Sequence, residues 1–407
     1  MASSFQPVPV RSAESRGLPC APDVLLGNLR EVVAGKPVTS DLACGLMTCS
    51  TEVLPALLDA AIAIKNQFKP AVITYSRKVF IPLTNLCRDY CGYCTFRRDP
   101  RQPGAHTMLP EEVLEVVRQG EKLGCAEALF SLGDKPESIF PEMQTFLRRL
   151  GYKSTLHYLE AMCEAVVRET GLLPHVNPGL MSAEWIERLA RWSPSLGLML
   201  ETTGENLLLP GAPHDRAPDK IPARRLHTIK EAGKLGVPFT TGILIGIGET
   251  VEDRVNTLFA IQALHERYGH IQEVIVQNFR VKPGIRMSHW PEPSRDDMLR
   301  SVAVARLILR NMNIQAPPNL SSPDYEQLLC AGINDWGGVS PLTPDFINPE
   351  APWPHLADLQ ARTTAAGYEL RQRLPVYPEF IAKVLPPVLR ARMASLSDHQ
   401  GYIRRAA

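Results

Sequence analysis

Net charge is almost absent from this chain: 44 Lys and Arg stand against 43 Asp and Glu. A protein that works through a basic field on nucleic acid carries a basic excess, so that class is excluded, although a local basic patch is not. Long apolar runs are missing as well, and nothing approaches the roughly 18 consecutive apolar residues of a membrane span. The opening MASSFQPVPV has neither the basic head nor the apolar stretch of a secretory signal. There is no repeat of fixed period and no low-complexity tract. With 44% hydrophobic residues, a largely disordered chain is ruled out. A disulfide framework is also lacking. Nine cysteines, at 20, 44, 49, 87, 91, 94, 125, 163 and 330, are odd in number and widely scattered. A reducing, cytoplasmic setting is expected, in which clustered cysteines are candidate metal ligands.

What is present is an alternation. At 407 residues the chain could hold two or three domains, or one α/β barrel with extensions. Residues 1 to about 22 read as a flexible tail rich in Ser and Pro, and 52–68 as an amphipathic helix outside the main domain. Apolar strands are then expected at 79–83, 126–132, 172–176, 196–201, 238–246, 273–279, 313–319 and 332–340. Helices lie between them, with Ser182, Thr250, Ser294 and Ser322 as caps. Eight such units predict a closed (β/α)8 barrel over about 71–345. A helical N-terminal extension (1–70) precedes it, and a Pro-rich C-terminal extension (346–407) wraps it. The site of such a barrel lies at the C-terminal ends of its strands. The unusual polar motifs TNLC, GDKPE, NPG, ETTGEN, GIGET, QNF, PPN and NDWGG fall there.

Three of the nine cysteines crowd into Cys87-Arg88-Asp89-Tyr90-Cys91-Gly92-Tyr93-Cys94, a C-x3-C-x2-C run directly after the first strand. Thiolates this close can converge on one 4Fe–4S cluster. Protein thiolates normally ligate all four irons, so three leave one iron open to a small molecule. The competing reading is a zinc site or buried thiols, but structural zinc wants four closed ligands, and no second pair exists here. Cys125, Cys163 and Cys330 read as small core residues, and Cys44 and Cys49 as buried thiols.

The cysteine run, with an aromatic before its last Cys and opening a barrel, resembles the radical S-adenosylmethionine (SAM) superfamily. Within it, FIPLTNLCRDYCGYCTF, SLGDKPE, PHVNPGLMS, LMLETTGENL, TTGILIGIGET, VQNFRVKPG, QAPPNL, GINDWGGVSPLTPDFINPEAPWP and RLPVYPEF resemble the FO synthase subunit 1 family (CofG) over about residues 75–390. The resemblance implies one 4Fe–4S cluster on Cys87, Cys91 and Cys94, with SAM on the open iron. It implies a lyase closing the deazaflavin ring of FO with loss of ammonia, releasing 5′-deoxyadenosine and methionine. The substrate would be a hydroxybenzyl adduct of a ribitylamino-uracil made by a CofH-type partner enzyme. A reducing donor protein would supply the electron. Nucleic acid and membrane are not expected partners. The rivals are a CofH-like transferase, biotin synthase, a noncatalytic iron–sulfur module, and one half of a fused two-barrel synthase.

The resemblance also suggests roles. Tyr93 lies in the slot near the adenine, or is a core tyrosine. Gly133 and Asp134 stand where relatives present a turn to the SAM ammonium, with Asp replacing a second Gly. Glu201 could accept ribose hydroxyls, and Gly246 and Gly248 could let the backbone approach the adenine. The substrate needs amide and imidazole partners. The candidates are Asn177, Gln277, Asn278, Asn319 and Asn334, with Asp335 and His175 as proton acceptors. Lys282 either meets an oxyanion or snorkels. Arg97 and Arg98 meet the SAM carboxylate, a donor protein or water.

Overall fold

The structure is a computed structural model that describes residues 21–69 and 71–404. The tail reading for residues 1–22 falls almost wholly outside them. Eight parallel strands pair in chain order: β1 (Val72–Pro82), β2 (Glu127–Ser131), β3 (Leu173–Asn177), β4 (Ser195–Gly197), β5 (Phe239–Ile245), β6 (Ile271–Asn278), β7 (Asn313–Gln315) and β8 (Asp335–Val339). β8 returns to β1, and β1 also pairs with β2, which closes the barrel. A ninth strand, β9 (Glu369–Gln372), lies parallel to the first residues of β1, so that Val72 faces Glu369 and Tyr75 faces Gln372. No helix among the described residues is long and apolar enough to cross a membrane.

Side-chain alternation explains why these strands make a hollow barrel. Ile73, Val79 and Ile81 of β1, Ala128 and Phe130 of β2, and Val274 and Val276 of β6 are fully buried among the core apolar residues. The alternate set, Lys78 and Phe80, Glu127 and Leu129, His175 and Asn177, Thr240 and Leu244, Glu273 and Gln277, lines an internal cavity. Barrels usually fill this space with branched apolar residues. Here polar Lys78, Glu127, His175, Asn177, Glu273 and Gln277 share the inner face with apolar Phe80, Leu129 and Leu244 around the cavity.

Several helix starts fall where the sequence places them. Thr250 and Asp253 form a capping box, as do Ser294 and Asp297, and the Ser182 hydroxyl accepts from the Trp185 amide. N-terminal helices Ser40–Met47 and Leu54–Phe68 pack beside helix Arg295–Leu309, and Pro22–Val33 packs on those two, burying Leu29, Leu46, Leu57 and Ile64.

Other expectations need correction. β1 begins at Val72, seven residues before the expected 79, because polar Thr74, Ser76 and Lys78 alternate inward and disguise the strand. β4 stops at Gly197, and the chain bends until Glu201, at φ +66°, makes one bridge to Ile243. β7 ends at Gln315, short of Pro317 and Pro318, which lack the N–H a ladder needs. The helix expected from Ser322 is only Gln327–Cys330, and Cys330 is exposed, not a core residue. Trp336 is buried, packs edge-on to Tyr325, and donates to Thr363 Oγ1.

The C-terminal segment closes the barrel base. After β9 it crosses the N-terminal ends of the strands, where the Pro375 carbonyl accepts from Ser195 Oγ and Gln272 Nε2. Arg373 points inward. It donates to both Asp335 oxygens at 2.6 and 3.1 Å and to Glu273 Oε1 at 2.9 Å. Tyr377 also donates to Glu273, and Thr74 to Asp335. Burial pushes the Glu273 carboxyl up to about 7 in spite of Arg373. Removing one partner from such a network strands the others in a low-dielectric interior. Arg373→Met should therefore cost about 3–5 kcal/mol, read as a lower urea midpoint. An unchanged midpoint would show that the seal does not hold the fold.

Candidate active site

A cavity of about 350 Å³ runs from the loop after β1 down to Arg373. Its upper wall carries Cys87, Cys91 and Cys94, three free thiols. Loops from other strands hold the cysteine loop in place. The Arg88 amide donates to Asp134 O, the Tyr90 amide to Arg216 O, and the Gly92 amide to Pro213 O. The Met287 amide donates back to Gly92 O. The Arg88 guanidinium forks onto Asp219 through Nε and Nη2 at 2.6 and 2.5 Å. Asn85 pins the loop's return, giving its Nδ2 proton to Gly104 O and accepting from the His106 amide.

Gly133 has a packing reason to be glycine. A Cβ there would lie 1.9 Å from the Leu86 carbonyl oxygen and 2.7 Å from Cys87 Cβ. The turn after β2 thus runs against the cysteine loop, and the Asp134 amide reaches Cys87 Sγ at 3.2 Å. The Asp134 carboxylate accepts from the Leu180 amide and Lys135 Nζ. Burial raises this carboxyl to about 6, with Lys135 opposing. Both residues line the cavity.

Tyr93 and Glu201 also line it and touch each other. The Tyr93 hydroxyl donates to Glu201 Oε2 and lies 2.9 Å from His214 Nε2. Lys220 holds the other Glu201 oxygen. Burial alone would raise the Glu201 carboxyl, but Lys220, His214 and Arg225 outweigh it and hold it well below the usual range.

Of the substrate candidates, His175, Asn177, Gln277 and Asn278 line the cavity. His175 Nδ1 lies 2.6 Å from Ser195 Oγ, whose single proton goes to Pro375 O. Nδ1 is therefore the donor, and Nε2 keeps its lone pair. Burial lowers the imidazole to about 4, so it is neutral near pH 7. Asn278 donates to Leu320 O, while its buried Oδ1 has no partner. Lys282 is buried on the same cavity.

Five expected site residues are elsewhere. Asp335 is locked to Arg373 at the base and is no proton acceptor for the cavity. Asn334 accepts from Arg306 and the Ile314 amide and donates to Asn313, a structural wedge under β7 and β8. Asn319 donates to Asp345 and Ala351 O, bracing the segment after β8. Gly246 packs against Pro293, and Gly248 against the Trp290 ring. Their positive φ values, +87° and +102°, serve a turn whose Gly246 and Ile247 amides donate to Glu249.

The sequence reading missed Lys78, Glu127, Glu273 and Trp353, which all line the cavity. Period-two alternation through TYSRKVF and AEALFS would have shown the first two facing inward. One consequence is testable. Gly133→Ala should push Leu86 and Cys87 away and reduce the iron bound after anaerobic reconstitution, with circular dichroism unchanged. Full iron content would mean that the loop yields without harm.

The comparisons with known proteins agree with this geometry. The Radical SAM superfamily profile matches residues 81–261. The 7,8-didemethyl-8-hydroxy-5-deazariboflavin synthase of Methanopyrus kandleri is 50% identical over 339 residues, which cover 82% of this chain and 100% of the relative. The FO synthase of Mycobacterium tuberculosis is 46% identical over 95% of this chain, which spans 46% of that longer protein. In fold, the FeFe-hydrogenase maturase HydG from Carboxydothermus hydrogenoformans superposes with a TM-score of 0.69 at 18% identity, covering 91% of this chain and 88% of that one. The three-cysteine loop on a closed barrel, and half-identity along the whole of a curated relative, place this chain in the 7,8-didemethyl-8-hydroxy-5-deazariboflavin synthase family of the radical SAM superfamily.

Proposed function

We propose that this chain closes the deazaflavin ring of FO, taking the hydroxybenzyl adduct of ribitylamino-uracil as substrate and releasing ammonia. The observation that carries the reading is one cavity with three free thiols on its upper wall and an amide- and imidazole-lined interior below. The donor set fits a 4Fe–4S cluster with one open iron: three cysteines line the cavity with no fourth beside them among the described residues, and the Gly133 turn leaves no room for a side chain beside Cys87. Cys87, Cys91 and Cys94 would hold the cluster, which with SAM bound would supply one-electron reductive cleavage of SAM and so the radical chemistry that the ring closure needs.

The protein's own residues bind, orient and exclude water. Tyr93, Asp134 and Glu201 line the cavity beside the thiols and are the SAM-facing candidates. Glu201 is already ionised and doubly held, so it offers fixed charge and not a mobile proton. Asn177, Gln277 and Asn278 offer hydrogen bonds to a uracil and a ribityl chain. His175 Nε2 is a neutral acceptor for a substrate N–H or O–H. The Arg373 seal keeps bulk water from entering through the base.

The partners belong to the same proposal. A CofH-type enzyme supplies the adduct, and a reduced donor protein supplies the electron. Arg97, Arg98, Arg216 and Arg286 line an outer opening shared with Cys91 and Cys94, which supports an acidic donor. The eight described cysteines are free, which supports a reducing, cytoplasmic setting.

The test is an anaerobic assay of cluster-loaded protein with dithionite, SAM and the adduct, following 5′-deoxyadenosine by chromatography and FO by fluorescence. Both products are expected. 5′-Deoxyadenosine without FO would move the substrate to a sister enzyme such as CofH. Cys91→Ala should abolish the cluster's visible absorbance and SAM cleavage together. Cleavage that survives would overturn the ligand assignment.

A further inference from the structure

Lys78 and Lys282 are two buried lysines that line the cavity, and Lys78 is the one that stands on a barrel strand. It sits mid-way along β1, directly across from Glu127 of β2 in the strand register, yet its ammonium does not pair with that carboxylate. The side chain turns the other way, over Gly338 of β8. A Cβ at Gly338 would lie 2.3 Å from Lys78 Nζ. The ammonium stands 4.9 Å from the centre of the Trp353 ring and 5.7 Å from that of Phe80.

The side chain is buried, with 7% of Lys78 exposed, and it faces the cavity. Among the described residues it forms no hydrogen bond and no ion pair. The carboxylates around it are claimed by other donors. Glu127 accepts from Ser76. Glu273 is held by Arg373, Tyr377 and Thr240. Asp345 accepts from Asn319, from the Ile347 and Asn348 amides, and from the Asn348 side chain. A buried ammonium with neither a hydrogen bond nor an ion pair is costly. Burial lowers the Lys78 ammonium against the pull of Glu127 and Asp345.

The cavity also has two chemically different sides. Amide and imidazole groups come from β3 and β6: His175, Asn177, Gln277 and Asn278. Aromatic rings come from β1 and the segment after β8, namely Phe80 and Trp353, with Phe346 5.5 Å from Phe80 behind them. The substrate has the same two-part character: a uracil with a ribityl chain, and a phenol.

We propose that Lys78 is a substrate-binding residue that donates a charged hydrogen bond to the phenol oxygen of the hydroxybenzyl group, whose ring lies against Phe80 and Trp353. This rests on the FO ring-closure reading. The contact fixes the phenol at one depth in the barrel, so the ring that must be joined to the uracil meets it in one orientation. It also selects for an oxygen at that ring position.

The test is a cycle of two ligands and three proteins. The ligands are the hydroxybenzyl adduct and its benzyl analogue, which lacks only the phenol oxygen. The proteins are wild type, Lys78→Met and Gly338→Ala, each cluster-loaded and matched for iron content. Affinities come from anaerobic calorimetry with SAM present, and FO from fluorescence. Wild type should bind the benzyl analogue about 10- to 100-fold more weakly than the adduct, the usual worth of a hydrogen bond to a charged group. Lys78→Met should bind the adduct more weakly by a similar factor and should not distinguish the two ligands. Gly338→Ala keeps the charge but displaces the ammonium, and should fall between.

If Lys78→Met weakens both ligands equally and keeps the full preference for the phenol, the lysine holds a uracil oxygen instead and the assignment is overturned. Equal affinity of wild type for the two ligands overturns it without any variant, even if Lys78→Met does not fold. Wild type that cleaves SAM but makes no FO points to a different failure, that of the ring-closure reading itself.

Discussion

A guanidinium from near the end of the chain, held between two carboxylates that start barrel strands, makes the hollow interior tenable. Arg373 neutralises Asp335 and Glu273 where β8 and β6 begin, and the same segment lays Pro375 across the base. Without a cation there, two acids would face each other in a low-dielectric space. With it, the barrel can carry polar residues at mid-height and still exclude water from below. At its other end the cavity reaches the cysteine loop, where Cys87, Cys91 and Cys94 line it.

The upper end depends on a different kind of constraint. The cysteine loop has no regular structure of its own, and its backbone bonds go to the segments after β2, β4 and β6. Gly133 and Asp134 fix Cys87 from one side, and the Arg88–Asp219 pair anchors the loop from another. A loop held by several strand ends behaves as part of the barrel rim. That is how a short, Gly- and Cys-containing segment can keep three ligands in register around a metal centre.

The barrel and its thiols were legible in the sequence for physical reasons that also explain the failures. β5 was visible because it ends in the apolar run Ile243–Ile245 and all but one of its residues are buried. β1 was found only in its second half, because Thr74, Ser76 and Lys78 make its inner face polar. The same blindness hid Lys78 from the list of site residues. Cys87, Cys91 and Cys94 were legible because local spacing alone brings them together. Asp335 and Asn334 were misread because a polar residue beside a strand can belong to either end of it. Here the register puts Thr74 opposite Asp335, which fixes it at the base. Nothing local in NDWGG encodes a partner 38 residues further on. Gly246 and Gly248 do not line the cavity, and a tight turn and a backbone approach to a ligand ask for the same φ.

The placement of the seal at residue 373 has a consequence for synthesis on the ribosome. All eight barrel strands emerge before the segment that closes them. Until β9 docks, Glu273 and Asp335 are solvated acids at an open lower mouth, and the nascent barrel is a water-filled tube. Docking of β9 and the Arg373–Pro375 segment after it is the event that covers the base. A ribosome that stalls or stops shortly before Arg373 therefore releases a chain with every cysteine in place and no dry chamber to protect a radical.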